Sequence, residues 1–192
     1  PECSVAELVV AMNEHSKAGT IRAYVCSNWT LARYRESVAY ARSKGLVPFA
    51  VSSPHYSLAV SYDAPWAGCR SSTGAEGREQ YEHYLAEQTC LFCWSSLSSG
   101  FFSGRFTREN LETHTEGQAA LVRRCYCREE NFRRLDRVRT LAAERRRSTS
   151  QIALAWVLAS PLRTFPLIAC WRPEEAWENA AACDIELTQA EV

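Results

Sequence analysis

Gly19-Thr-Ile-Arg-Ala-Tyr-Val-Cys-Ser-Asn-Trp29 is the stretch on which the fold turns. A short apolar run between a glycine and a polar Ser-Asn pair reads as a buried parallel strand, here over 21 to 26, that delivers two hydrogen-bonding side chains at its carboxyl end. In an α/β barrel that end is where ligands bind. Read alone, Ser27-Asn28 serves equally well as a helix N-cap, so the rest of the chain has to choose.

Outward from this strand, helix and strand patterns alternate. Residues 4 to 17 place Val5, Leu8, Val9 and Met12 on one face, with Ser4 as N-cap and Gly19 as the stop. Thr30 to Lys44 is a second amphipathic helix stopped by Gly45, and Leu46 to Val51 the next strand. A polar, Gly- and Ser-rich stretch from 57 to 75 leads to a helix near 76 to 88, then to a strand over Leu91 to Trp94. The segment from there to about 127 is far longer than a usual connection and is expected to be a functional or disordered loop. Helices near 129 to 146 and 149 to 159, a strand over Phe165 to Ile168 and a helix from Pro173 to Ala182 complete the chain. Four βα units imply a parallel α/β sheet, either open and doubly wound or part of an eight-stranded barrel.

Composition excludes several classes of function. The 192 residues have a formal net charge of zero and 46% hydrophobic content, which fits one globular domain or part of one and gives no polyanion-seeking character. The apolar runs are broken by Arg, Glu or Asn and are too short for a membrane span, and no secretory pattern opens the chain, so a cytoplasmic location is expected. The arginines between Arg123 and Arg147 interleave with Glu129, Glu130, Asp136 and Glu144, which reads as a solvated helix laced with ion pairs rather than a nucleic-acid surface. Cys90-Leu-Phe-Cys93 and Cys125-Tyr-Cys127 invite a zinc site, but the first pair lies three apart on an expected strand and so points to opposite faces, and the other five cysteines have no mutual spacing; no metal site is expected. The chain opens at Pro1 without Met and stops as 187 to 191 begins what reads as another helix, so both ends read as cut.

Three motifs, in order, carry a family resemblance. Residues 19 to 28 are similar to the fifth barrel strand of the aldo-keto reductases, which presents Ser and Asn to the carboxamide of a nicotinamide ring. Phe92-Cys-Trp94-Ser95-Ser96-Leu97-Ser-Ser-Gly100-Phe-Phe-Ser103-Gly104-Arg105-Phe106 resembles the seventh-strand signature of that family, an aromatic followed by Ser-Pro-Leu and Gly-x-x-x-Gly-Lys/Arg-aromatic. Gln151 to Leu158 and then Arg172-Pro-Glu-Glu175-Ala-Trp-Glu178-Asn179 resemble its eighth-strand region. The resemblance implies a partial TIM (β/α)8 barrel, about the carboxyl-terminal half, and one incomplete domain over 1 to 192. It further implies a fragment of an NAD(P)H-dependent oxidoreductase that reduces aldehydes or ketones to alcohols.

It also distributes roles. Ser27 and Asn28 would hold the carboxamide, with Ser52 where relatives carry Gln or Asn. Trp94 would stack on the nicotinamide and fix its exposed face, although a strand-end aromatic also serves as plain core. Ser95, Ser96, Leu97 and Ser103 suit a pyrophosphate-binding turn under a flap over 98 to 118, and Arg105 adds a cation. Trp171 replaces the usual basic residue of the last loop, leaving Arg105 and Arg172 to meet the 2′-phosphate that favours NADP(H) over NAD(H), with Glu175 beside it and Glu178 and Asn179 at the adenine. The proton-donating Tyr of the family and its Asp, Lys and His partners have no counterpart motif, so this chain alone is expected to be inactive. Its expected partners are a small carbonyl substrate and the missing amino-terminal half of the barrel. The alternative is a noncatalytic dinucleotide-binding or regulatory subunit of the same fold.

Overall fold

The structure, a computed structural model, describes residues 3–192. Four short parallel strands, β1 (Val25–Ser27), β2 (Val51–Ser53), β3 (Cys90–Cys93) and β4 (Arg163–Pro166), pair in chain order. Helix α1 (Val5–Lys17) precedes β1; α2 (Leu31–Ser43) and α3 (Arg78–Glu87) follow β1 and β2. After β3 come α4 (Gly117–Tyr126), α5 (Glu129–Arg145) and α6 (Thr149–Leu158), and after β4 comes α7 (Pro173–Ala180).

Strand order and one-sided burial decide between the two architectures. A doubly wound sheet reverses its strand order and covers both faces with helices. Here the order is sequential. Cys26, Ser52 and Leu91 lie in register on one face and are buried with Val9, Tyr34, Tyr84 and Val157 of the helices. Val25, Phe92 and Phe165 lie on the other face and are exposed, Phe165 by 51%. Sequential strands with helices on a single face form a section of a barrel wall. Leu91 and Tyr84, wholly buried, each contribute about 1.5–3 kcal/mol by removal from water.

The helix ends are set locally. Ser4 and Glu7 form a reciprocal capping box at α1, and Ser148 and Gln151 form another at α6. Thr30, rather than the Ser27-Asn28 pair, caps α2 by accepting from the Arg33 N–H at 3.2 Å. On α5, Arg133 and Arg134 pair with Glu129 and Glu130 one turn earlier, the solvated, charge-laced face that the sequence implies.

Several boundaries move. The second strand does not begin at Leu46, because the backbone of Val47 is taken by side chains: its N–H donates to Asn13 Oδ1, and its carbonyl accepts from Asn13 Nδ2 and the Tyr24 hydroxyl. Pro48 has no N–H to offer a ladder. The ladder therefore starts at Val51, and β1, which needs that partner, starts opposite it at Val25 instead of Ile21. The final strand starts earlier than Phe165, at Arg163, and residues 187 to 191 form no helix but a turn in which Glu191 accepts from the Thr188 N–H.

The largest revision concerns 98 to 127. This segment holds a 3-10 stretch, Ser98–Ser103, a second one at Leu111–Thr113, and α4. Phe101, Phe102 and Phe106 are fully buried with Tyr126, Phe132, Leu135 and Ile152 in a second core. Three buried phenylalanines anchor the segment, so it is not a free flap.

Candidate cofactor site

The carboxyl ends of β1, β2 and β3 meet at a polar corner. Asn28 follows β1 with φ of 57°, a left-handed backbone that Asn tolerates better than most residues. That conformation aims its side chain across the sheet: Oδ1 accepts from Trp94 Nε1 at 3.1 Å and from the Arg70 N–H at 3.1 Å, while Nδ2 donates to Ser27 Oγ at 3.3 Å. Ser27 Oγ donates to the Ser53 carbonyl at 3.2 Å. One asparagine thus ties together three strand ends and the long loop that carries Arg70.

Trp94 is less open than a bare strand-end aromatic. Trp66, 55% exposed in that loop, lies against it with ring centroids 5.0 Å apart and an interplanar angle of 33°, and His55 tilts against it at 5.1 Å. Trp66 has no strand or helix pattern around it, so nothing in the sequence couples it to Trp94.

His55, which has no counterpart in the motifs, is the centre of a buried hydroxyl network. Nδ1 meets Ser71 Oγ at 2.8 Å; Nε2 meets Ser57 Oγ at 3.2 Å and Tyr126 Oη at 3.1 Å. Burial lowers its pKa from 6.5 to about 4, so the ring is neutral and serves as a prop behind Trp94. The buried tyrosines move the other way. Desolvation pushes Tyr56 and Tyr84 up to about 12 and Tyr126 higher still, so none of these three is tuned to give up a proton near neutral pH.

Other expected residues are redirected. Ser52 is on the helix-facing side of β2, its hydroxyl 2.7 Å from Tyr84 Oη, and cannot reach the corner. Its neighbour Ser53, with Oγ 2.6 Å from the Phe92 carbonyl, takes the place on the corner side. Strand alternation predicts one serine inward and one outward, but the phase depends on register. Ser96 is buried with its hydroxyl donated to the Cys93 carbonyl at 2.8 Å, so its side chain is not free for a phosphate. Its backbone remains: among the described residues, the N–H groups of Ser96 and Leu97 have no protein acceptor. Ser95, Ser98 and Ser99 all have positive φ in this turn, and Ser95 Oγ sits 3.4 Å from Ser99 Oγ. Leu97 packs against the second core.

The cationic side is exposed. Ser103 Oγ accepts from the Arg105 N–H at 3.4 Å, and the Arg105 guanidinium lies 4.9 Å from the centroid of Phe106. At α7, Glu175 is a capping residue: its carboxylate accepts from the Trp171 N–H at 2.9 Å and from Arg172 Nε at 3.2 Å. The Trp171 N–H is the main reason its pKa is lowered. Glu175 therefore pairs with Arg172 through Nε alone and does not face a ligand by itself. Glu178 is exposed, while Asn179 is buried and donates to Cys170 Sγ at 3.5 Å. Trp171, 94% exposed, covers nothing. Among the described residues no cluster of three potential metal ligands is present, and no helix is long and apolar enough to cross a membrane.

Comparison with known proteins bears on the fold. The chain is 27% identical over 145 residues, 65% of its length and 43% of the relative, to an uncharacterized oxidoreductase, YrpG, of Bacillus subtilis (strain 168). It is 24% identical over 185 residues, 94% of its length and 52% of the relative, to a probable voltage-gated potassium channel subunit beta of Oryza sativa subsp. japonica. The thermostable aldo-keto reductase Tm1743, solved with the inhibitor epalrestat, superposes with a TM-score of 0.65 at 20% identity, covering 100% of this chain and 53% of that one. An aldo/keto reductase from Klebsiella pneumoniae, solved with NADP and acetate, gives 0.62 at 21%, again covering 53% of that chain. The chain spans about half the length of these relatives. Its four-stranded sheet is accordingly a partial TIM (β/α)8 barrel. The model of the Aldo/keto reductase family matches residues 1–192, and the chain belongs to that family.

Proposed function

We propose that this chain is the cofactor-holding part of a cytoplasmic NADP(H)-dependent reductase of aldehydes or ketones, and that the rest of the barrel supplies the proton donor. The observation that carries the reading is the bond from Trp94 Nε1 to Asn28 Oδ1, which holds a flat aromatic and a side-chain amide together at one strand-end corner. Ser27, Asn28 and Ser53 hold the nicotinamide carboxamide, and Trp94 sets the ring face once Trp66 moves aside. The free N–H groups of Ser96 and Leu97 donate to the pyrophosphate, as oriented backbone donors do for anions elsewhere. Arg105 and Arg172 meet the 2′-phosphate, with Glu178 and Asn179 toward the adenine. NADP is bound by the Klebsiella pneumoniae neighbour, which favours it over NAD here.

When bound, the cofactor supplies hydride; this chain orients it. None of the three most deeply buried tyrosines has a lowered pKa, in keeping with a proton donor outside this chain. The test is complementation. Residues 1–192 alone should not oxidise NADPH with a test aldehyde, and adding a separately made amino-terminal half barrel should restore turnover. An active isolated chain would overturn the reading. The channel-subunit relative favours a second reading, a noncatalytic subunit that binds NADP(H) without turnover. Under it, complementation restores cofactor binding but no reduction.

A further inference from the structure

A second cleft lies away from the strand-end corner. It has a volume of about 560 Å³ between α3, α5 and α6, and no candidate cofactor residue lines it. That size suits a small organic ligand.

One wall is flat and apolar. Tyr56 stacks near-parallel on Trp156, with centroids 5.7 Å apart at 25°, and on Tyr81, at 6.3 Å and 27°. The opposite side is cationic. Arg134 is already satisfied by Glu130 and the Leu58 carbonyl, but Arg78 and Arg137 form no ion pair among the described residues. Among the described residues Glu82 is the only acidic side chain lining the cleft, and Val192, whose carbonyl accepts from Trp156 Nε1 at 2.9 Å, also borders it.

Two further features point to an anion. Ser72, 2% exposed and lining the cleft, has a hydroxyl with no partner, which is uncommon for a buried polar atom. Beside it, α3 has Gly77 as its N-cap and so no side-chain cap, and the N–H groups of Glu79 and Gln80 have no acceptor among the described residues. A side chain at 77 cannot provide one, since a Cβ there would lie 2.6 Å from the Ser71 carbonyl oxygen. An uncapped helix start attracts negative charge through its free N–H groups and its dipole.

We propose that this cleft binds a small flat aromatic acid, its ring against Tyr81 and Trp156 and its anionic group between Arg78, Arg137, the Ser72 hydroxyl and the start of α3. The ring and the charge are both required, because the wall offers stacking on one side and guanidinium on the other.

The test titrates 1-naphthoate into the chain and follows tryptophan fluorescence. Saturable quenching with a dissociation constant below about 1 mM is expected. Both arginines are exposed, so Arg78→Ala with Arg137→Ala should leave folding intact and weaken binding by roughly tenfold or more, while Trp156→Leu should remove most of the quenching. The neutral analogue 1-naphthalenemethanol should bind roughly tenfold more weakly. The proposal is overturned if no saturation appears by about 10 mM, if the double variant binds like the parent, or if inorganic phosphate binds as well as naphthoate.

Discussion

Acidification should destabilise this protein well before its carboxylates protonate, and His55 should be the cause. The ring is 1% exposed and its pKa falls from 6.5 to about 4 because burial penalises the imidazolium. Between those values the unfolded chain binds a proton that the folded one refuses, so stability falls as pH falls. The full loss is about 3 kcal/mol, developing at up to about 1.4 kcal/mol per pH unit below 6.5 and levelling off below pH 4. Asp63 and Asp136, held low by hydrogen bonds from Arg124 and Arg108, lose their contributions only as pH falls below the ordinary carboxylate range, leaving an upper window to histidine. His83 shifts in the same direction, mainly by burial, so the measurement belongs in a His83→Gln background. Urea unfolding at several pH values between about 7.5 and 4.5 reads the slope. His55→Gln should flatten it. An unchanged slope in that variant would refute the assignment and mean that His55 charges without cost in the folded state.

Asn28→Ala should destabilise the chain by about 2–3 kcal/mol, from two lost hydrogen bonds to Oδ1 and the left-handed backbone at φ of 57°, whereas Asn28→Gly should recover about 1 kcal/mol of that by relieving the backbone alone. Equal losses for Ala and Gly in urea melts would remove the backbone contribution. Trp66→Ala should tighten NADPH binding by about twofold to tenfold, the 0.5–1.5 kcal/mol of an aromatic pair that no longer has to be displaced from Trp94. Weaker binding would show that Trp66 clamps the cofactor instead. Arg105→Ala combined with Arg172→Glu should weaken NADPH more than NADH, and equal losses would place the specificity cation elsewhere.

The helices other than α4 were legible because their signals are local. Ser4, Thr30 and Gly45 mark ends that the structure keeps to within a residue or two. The parallel α/β class followed from the alternation of elements, and the barrel order only from the motifs' resemblance; strand limits followed from neither. Those depend on Asn13 and Tyr24 capturing the backbone of Val47 from distant positions. The same dependence on register sent Ser52 outward and Ser53 to the corner. The stretch from 98 to 127 looked like a loop because no hydrophobic period runs through Phe101, Phe102 and Phe106; only a second core, built by α5 and α6 downstream, shows why three phenylalanines stand there. Trp66 and His55 were invisible for a related reason, since their importance lies in what they touch across the sheet ends.

The measurement that tests the central claim most directly is the NADPH dissociation constant of the complemented barrel, by calorimetry, for the parent and for Trp94→Ala. A loss of about 1–2 kcal/mol, roughly fivefold to thirtyfold, is predicted, the scale of one aromatic stack with its buried area. An unchanged constant would remove Trp94 from the cofactor site, and with it the reading of the Asn28 corner as the place where nicotinamide is held.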